Sequence, residues 1–408
     1  MRRRIAVTGA GTISPLAGSP GDLHAALCAG RGGLKSIELF PTDGLGDHRA
    51  GEIRPFEPRD HLGERNLRPI DRTSRLLLVA AQQALDASGW TPELRAERDA
   101  GLILGTTFCS VRTIAEFDRR GLQLGPSYAS PLDFANSVIN AAAGQAAIWH
   151  GLRGVNSTIC AGEASGLSAI ACAVDLIRSG RAQALLAGGV EELCYESFVG
   201  YLRAGRLCGS NGDGRPIPFD ARRNGFALSE GAALLMLEDA ESAAARGASV
   251  IGVVLGHGSA FDVTGTEEGA ALALARAVRL ALEDAELGPD EIDALVVAAN
   301  GSVAGDRAEA RGVAGALGSR AAELPLTAVK SMLGEALGAS GGFQAVAALG
   351  VLREGVLPGT LGLEEIEEGF PLRGARSGNR EIAARRILLT ALSGDGHACA
   401  VVLGAAEN

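Results

Sequence analysis

The stretch that decides the fold is Asn156–Gly166, which reads N-S-T-I-C-A-G-E-A-S-G. A short strand-like run leads into a turn of small residues, and an apolar pattern at helical spacing follows at Leu167, Ile170, Ala171, Val174 and Ile177. A tight strand-to-helix turn holds a side chain rigidly, and the N–H groups at the helix start favour an anion. Nucleophiles are often mounted in this way. The position expected to be reactive holds Glu163, three residues after Cys160.

On both sides of this turn, buried strand patterns alternate with amphipathic helical patterns. The segments Gly101–Thr107 (G-L-I-L-G-T-T) and Asp293–Ala299 (D-A-L-V-V-A-A) are typical of buried strands. Alternation in both halves predicts an α/β fold in which helices cover mostly buried sheets. The order of patterns restarts near residue 248, which predicts an N-terminal half at 1–245 and a C-terminal half at 246–408.

Three local predictions concern segments close to the central turn. The segment Val111–Arg119 is predicted to be a helix, and Phe134–His150, which is rich in small residues, is predicted to be another. Residues 195–225 contain several glycines and prolines and are predicted to form a loop.

Composition bounds the class of protein and its partners. The chain has 408 residues, of which 47% are hydrophobic and 21% are charged, and this is enough for a large buried core. The net charge is −10 and there is no basic stripe, so a nucleic-acid partner is not expected. No apolar run approaches the ~20 residues of a membrane span, so no membrane partner is expected.

Cysteine and histidine usage predicts a cytoplasmic protein without a metal. The seven cysteines form no CxxC pair, and the simplest interpretation is that they are buried, reduced thiols in a cytoplasmic protein. The six histidines show no spacing typical of metal ligands, and no cofactor is expected.

Seven short motifs accompany the central turn. They are V-T-G-A-G at 7–11, G-L-R-G at 151–154, L-A-G-G-V-E at 186–191, R-P-I-P-F-D-A-R-R-N-G-F at 215–226, S-E-G-A at 229–232, A-G-D-R-A-E-A at 304–310 and V-K-S-M-L-G at 329–334. Together they resemble the β-ketoacyl-acyl-carrier-protein synthases over nearly the whole chain. The resemblance implies the thiolase fold, a duplicated five-layer αβαβα arrangement. It also implies condensation of acyl chains by a cysteine nucleophile and two histidines.

The chain departs from this family at all three catalytic positions. Counting back from Gly188–Gly189 places the family's cysteine on Glu163. Asn300 takes the place of the first histidine and Glu335 that of the second, whereas Lys330 is retained. The resemblance therefore implies that this chain has no catalytic residue of its own.

The replacements remove the chemistry of condensation. A thiolate carries the acyl chain as a thioester, whereas a carboxylate forms only a mixed anhydride that water attacks. The histidines stabilise the developing enolate, and loss of one such donor commonly costs ~2.7–4 kcal/mol of transition-state stabilisation. The favoured interpretation is that Glu163, Glu335 and Lys330 form a buried ion cluster. The alternative is a catalytic role for Glu163.

A condensing-enzyme fold with its cysteine replaced resembles the chain-length factor, or ketosynthase β, of type II polyketide synthases. Glutamine is usual at this position, so Glu163 is a further departure. The resemblance implies a heterodimer with a cysteine-bearing ketosynthase α subunit and contact with acyl carrier protein through that complex. It also implies a polyketide tunnel at the heterodimer interface, whose far end this subunit closes.

The resemblance also places the tunnel and the interface. The positions for tunnel depth are Phe108, Cys109, Val111, Ile114 and Asp118. Since neither Val111 nor Asp118 is a bulky aromatic, an elongated chain such as a polyene would have room. Plain core packing is the alternative for Val111 and Ile114. The expected interface residues are Phe134, Val138 and Asn140.

Three functions remain open on the sequence. The first is a non-catalytic partner subunit that sets chain length. The second is a malonyl-acyl-carrier-protein decarboxylase that uses Glu163 to supply starter units. The third is a structural homodimer with no role in chain length.

Overall fold

The computed structural model describes residues 3–64, 67–209 and 214–406, which form strands that alternate with helices. The strands are β1 Ile5–Ile13, β2 Lys35–Ser36, β3 Arg49–Ala50, β4 Gly101–Gly105, β5 Asn156–Ile159, β6 Ala184–Glu191, β7 Gly231–Asp239, β8 Gly252–Phe261, β9 Ala294–Val296, β10 Leu326–Thr327, β11 Val356–Leu357, β12 Arg380–Glu381, β13 Arg386–Leu392 and β14 His397–Gly404. The α-helices are α1 Pro20–Cys28, α2 Pro58–Leu62, α3 Arg72–Ala87, α4 Pro92–Glu97, α5 Val111–Leu124, α6 Pro131–Phe134, α7 Ala141–His150, α8 Ser165–Arg178, α9 Tyr195–Arg203, α10 Ala240–Ala245, α11 Glu267–Ala285, α12 Val303–Leu317, α13 Lys330–Leu333 and α14 Ser340–Glu354.

Ten of these strands are hydrogen-bonded to one another in the order β10-β9-β13-β14-β8-β1-β7-β6-β4-β5. Strands β1 and β8 pair antiparallel in the middle, with Ile5 opposite Val254. From this central pair towards one edge the order is β1-β7-β6-β4-β5, and towards the other edge it is β8-β14-β13-β9-β10. If the five strands of each half are numbered along the chain, both orders read first, fifth, fourth, second, third. The α/β prediction is confirmed, and the two sets of five strands repeat one plan.

The helices form three layers around these strands. Helices α8 and α14 pack against strands of both halves and against each other. They belong to a core that includes strands β1, β6, β7, β8, β13 and β14. Helices α3 and α7 cover the other face of the first five strands, and α11 and α12 cover that of the second five. The result is an αβαβα arrangement with the Asn156–Gly166 turn at the start of central helix α8.

Glycines let this turn sit directly on the sheet. A Cβ atom at Gly105 would lie 2.4 Å from the backbone oxygen of Ser165, and one at Gly189 would lie 2.0 Å from that of Gly338. Gly162, which immediately precedes Glu163, has a φ of +53° in the left-handed region that glycine adopts without strain. The close packing of the turn on the sheet fixes the backbone position of Glu163.

Two of the local predictions were wrong. Phe134–His150 is not one helix, because α6 ends at Phe134 and α7 begins at Ala141. Between them Asn136 is buried and its Nδ2 donates to the Pro69 oxygen at 2.9 Å, a tertiary contact that overrides helical propensity. The predicted loop 195–225 contains helix α9, while its residues 210–213 lie outside the described part of the chain.

Candidate functional site

Glu163 lies in the turn between β5 and α8 and is buried. Its Oε2 accepts hydrogen bonds from Ser393 Oγ at 2.6 Å and from the Gly394 backbone N–H at 3.2 Å. Cys160, in the same turn, is exposed, and its Sγ donates to the Thr107 backbone oxygen at 3.4 Å. Glu163, at the position predicted for the family's nucleophile, therefore binds a loop near the C-terminus.

Glu335 and Lys330 form a buried ion pair. Lys330 Nζ lies 2.8 Å from Glu335 Oε2, and Asn300 Nδ2 donates to the same oxygen at 2.7 Å. The other oxygen, Oε1, accepts from Ser340 Oγ at 2.6 Å and from the Leu337 N–H at 3.0 Å. Both oxygens of Glu335 are thus satisfied, as buried charge requires.

The predicted ion cluster is therefore only partly correct. It includes Lys330 and Glu335, but Glu163 binds Ser393 instead of Lys330. The position of Asn300 also matters, because its Nδ2 is used on Glu335 and its Oδ1 accepts from the Ser302 N–H at 3.0 Å. The Asn300 Nδ2 has a second N–H, so Asn300 keeps one donor beyond its bond to Glu335.

Two further carboxyl groups lie beside this network, and sequence reasoning gave them no role. Asp306 accepts backbone N–H bonds from Phe219 at 2.9 Å and from Asn300 at 3.1 Å. Glu309 Oε1 accepts from the Ala298 N–H at 2.7 Å, whereas its Oε2 has no hydrogen-bond partner. Burial raises the pKa of Asp306 to about 6 and that of Glu309 to about 7. Both residues belong to the A-G-D-R-A-E-A motif, and this motif is the sequence signal that could have identified them.

A cleft of about 800 Å³ opens onto these groups. Its walls include Glu163, Arg206, Asn300, Glu309, Ser393 and Asp395. Among the described residues that line it there is no cysteine and no histidine. The cleft therefore offers neither a thiolate to hold an acyl group nor an imidazole to stabilise an enolate.

A second cleft, of about 390 Å³, lies between the start of α5 and helix α9. Phe108 and Val111 line it together with Glu196, Ser197, Gly200, Tyr201 and Ala204. Of the other predicted tunnel positions, Cys109 is buried, Ile114 is half-buried and Asp118 is exposed. The structure thus brings two of the five predicted positions together with α9. The sequence analysis missed α9, although Phe198, Tyr201 and Leu202 have helical spacing.

The loop before α5 is held by one buried carboxylate. Glu191, at the end of β6, accepts backbone N–H bonds from Thr107 at 2.6 Å, Phe108 at 2.9 Å and Cys109 at 3.0 Å. It also accepts from the Gly338 N–H at 3.2 Å. This single side chain ties the start of the predicted tunnel helix to the segment that follows Glu335.

An exposed apolar face lies beside the second cleft. Helix α5 has no buried residue, although its sequence is strongly amphipathic. The apolar face consists of exposed side chains in and near α5, α6 and α7: Leu122, Leu124, Tyr128, Leu132, Phe134, Val138, Ile139 and Ile148. Two predicted interface residues, Phe134 and Val138, belong to it, and Asn140 is exposed beside them. Exposed apolar side chains in this number are typical of a protein-binding surface.

Buried carboxyl groups predict that stability falls as pH rises from 5.5 to 8. Burial raises the pKa of Glu191 and Glu309 to about 7 and that of Glu192 to about 8, above their ordinary value of 4.5. Groups of this kind stabilise the fold below the unfolded pKa, and the contribution is lost as pH rises through the folded pKa. A pKa difference of one corresponds to about 1.4 kcal/mol, so the expected loss is several kcal/mol.

Urea unfolding at a series of pH values measures this loss. Burial lowers the pKa of His24, which acts in the opposite direction but is one group against four, since the raised pKa of Asp306, about 6, adds to the other three. The Glu309→Gln variant should have a flatter profile because one titrating group is removed. A free energy of unfolding that increases between pH 5.5 and 8 would contradict the prediction.

The described residues contain no group of three or more potential metal ligands. None of the helices in that part of the chain is long and apolar enough to cross a membrane.

Comparison with known proteins identifies the relatives of this chain. Residues 2–243 match the family model "Beta-ketoacyl synthase, N-terminal domain", and residues 228–364 match "Beta-ketoacyl synthase, C-terminal domain". The chain is 32% identical to 3-oxoacyl-[acyl-carrier-protein] synthase 2 of Synechocystis sp. over 89% of this chain and 88% of that protein. It is 34% identical to the tetracenomycin polyketide synthase ketoacyl synthase beta subunit of Streptomyces glaucescens, over 88% of each chain.

Solved structures resemble the whole chain. The ishigamide ketosynthase/chain length factor superposes with a TM-score of 0.93 at 30% identity and covers 100% of both chains. A β-ketoacyl synthase from Burkholderia phymatum superposes with a TM-score of 0.89 at 25% identity, over 99% of this chain and 100% of that one.

The fold is that of the condensing enzymes, and the described residues that line the large cleft include no cysteine and no histidine. The ketosynthase neighbours confirm the predicted thiolase fold. The chain belongs to the β-ketoacyl synthase family.

Proposed function

We propose that this chain is the non-catalytic chain-length factor of a type II polyketide synthase. It pairs with a cysteine-bearing ketosynthase α subunit and closes the polyketide tunnel at their interface. The observation that carries this proposal is the bonding of Glu335, which holds Lys330 and Asn300 in a buried network at the positions predicted for the family's histidines. The likeness to a ketoacyl synthase beta subunit and to a ketosynthase/chain length factor supports it.

The exposed apolar face supports the part of the proposal that concerns a partner. Helix α5 is amphipathic, yet its apolar side chains are only half-buried, as at Val111 and Ile114, or exposed, as at Leu122. A second subunit placed on this face would bury them and would enclose the cleft lined by Phe108 and Val111. This arrangement gives the chain a way to affect product length without performing chemistry.

Reconstitution with malonyl-acyl-carrier protein tests the proposal. The purified chain alone should not become acylated and should not condense malonyl units, because a carboxylate replaces the thiolate. Adding a cysteine-bearing ketosynthase encoded beside it should give polyketide, and that ketosynthase alone should give much less. Acylation or condensation by the isolated chain would reject the proposal. Carbon dioxide release that Glu163→Ala abolishes would instead support the decarboxylase alternative.

Filling the second cleft should shorten the product. Val111→Trp places a larger side chain opposite Gly200 and Tyr201, so the tunnel should end earlier and the main product should lose at least one two-carbon unit. Mass spectrometry of the products from the reconstituted pair measures this change. The matched control is Arg119→Trp, because Arg119 is exposed on the same helix and does not line the cleft. Unchanged length with Val111→Trp would favour a purely structural subunit.

A further inference from the structure

The loop between β13 and β14 is bonded to the central turn, 230 residues earlier in the chain. Ser393 makes two bonds to Glu163, since its hydroxyl donates to Oε2 at 2.6 Å and accepts from the Glu163 backbone N–H at 3.2 Å. The Gly394 N–H donates to the same carboxylate oxygen at 3.2 Å. One side chain therefore holds two consecutive residues of the loop.

This contact is tightly packed and shielded from water. Glu163 and Ser393 are both more than 90% buried. A Cβ atom at Gly162 would lie 2.0 Å from Ser393 Oγ, so the turn and the loop touch where the chain has no side chain. Hydrogen bonds to a buried carboxylate are stronger than bonds between neutral groups.

The loop also has backbone bonds of its own. Ser393 N–H donates to the His397 oxygen at 2.8 Å, Gly396 N–H donates to the Ser393 oxygen at 3.1 Å, and Asp262 N–H donates to the Gly396 oxygen at 2.8 Å. Asp395 Oδ1 lies 3.0 Å from His397 Nδ1, and the His397 ring packs edge-on against Phe261 with centroids 4.8 Å apart. Gly394 and Gly396 leave the backbone intrinsically free, and Gly396 has a φ of +103°. The bonds to Glu163 therefore join this hairpin turn to the central turn, and the Gly394 N–H reports on them because it donates to Glu163.

We propose that Glu163 is a latch that fixes the Leu392–Gly396 loop over the inner end of the large cleft. All five residues of this loop line that cleft together with Glu163. While the latch is closed, the loop cannot move away from the position that the nucleophile has in catalytic relatives, and a thioester-bound acyl group is kept out. The replacement of cysteine by glutamate thus closes a redundant pocket as well as removing a nucleophile.

The latch is a property of the isolated chain. Its consequence, that acyl substrates are left to the partner's pocket, rests on the proposed function. Loop mobility in the isolated chain and product formation by the pair are separate measurements, so either part can fail without the other.

Hydrogen–deuterium exchange of the full chain, followed by mass spectrometry, tests the latch. In Glu163→Ala and in Ser393→Ala, peptides that contain Gly394 should exchange at least tenfold faster than in the original chain, while peptides from α8 and β14 stay unchanged. Glu163→Gln keeps an acceptor oxygen and should stay within threefold of the original rate. Cys160→Ala is the matched control, because Cys160 lies in the same turn and contacts Thr107 instead of the loop.

Three outcomes would overturn the latch. Unchanged exchange at the loop in both alanine variants would show that other contacts hold it. Faster exchange spread evenly over the sheet would show that Glu163 supports the whole fold and not this loop. An effect in Glu163→Ala that is missing in Ser393→Ala would likewise reject the pairing on which the latch depends.

Discussion

Replacing Lys330 by methionine should lower the free energy of unfolding by about 3–5 kcal/mol, as expected when one partner of a buried ion pair is removed. Lys330 is 3% exposed and Glu335 is fully buried, so water cannot replace the lost ammonium. Glu335 would keep its bonds from Asn300, Ser340 and Leu337, but its charge would have no cation within contact distance. Urea unfolding of the purified chain at fixed protein concentration measures the loss.

A double variant separates charge from packing. Lys330→Met combined with Glu335→Gln removes both charges and keeps an oxygen for Ser340 and Leu337. It should recover at least half of the stability lost in the single variant, because no buried charge is left unpaired. If Lys330→Met costs less than about 1 kcal/mol, or if the double variant is no better, the pair does not carry the stability assigned to it.

The sequence was sufficient to predict the fold, whereas the altered catalytic positions stay a prediction. The alternation of strand and helix patterns, with motifs spread from residue 7 to residue 334, predicted the α/β architecture. Sequence position alone does not give the direction of a side chain, however. This is why Glu163 was predicted to join Lys330, whereas it binds Ser393 from a loop 230 residues away.

The errors near the predicted interface have a different cause. Small, apolar residues at 134–150 indicated one helix, but a bond from Asn136 to the Pro69 oxygen breaks the segment into two. Helix α9 was hidden because its short apolar stripe lies next to glycines and charges that are typical of loops. Local patterns cannot report contacts made elsewhere in the chain.

Core packing and a tunnel wall were the alternatives for Val111 and Ile114. The structure shows both residues half-buried on a helix that has no buried residue. A helix whose apolar stripe remains open needs a covering surface, and helical spacing alone could not show whether that surface belongs to this chain. The open apolar stripe of α5 is therefore the reason for predicting a partner subunit, and binding experiments test that prediction.

Placing a charge on the apolar face should therefore break the heterodimer. Phe134 and Val138 are 65% and 53% exposed in the isolated chain. If the ketosynthase α subunit covers them, Phe134→Asp or Val138→Asp buries a carboxylate without a partner. The dissociation constant should rise at least 100-fold, which corresponds to about 2.7 kcal/mol. Isothermal titration or size-exclusion chromatography with the α subunit measures the change.

The matched control for this prediction is Leu272→Asp. Leu272 is 60% exposed on α11, in the C-terminal half of the chain, so its replacement changes surface charge equally without touching the apolar face. Leu272→Asp should bind the partner as the original chain does, and both Phe134→Asp and Val138→Asp should keep the original thermal unfolding midpoint within a few degrees. Equal weakening by all three variants would indicate a general effect of charge. Unchanged binding by the two face variants would place the partner elsewhere, since a buried unpaired carboxylate cannot be neutral in an interface.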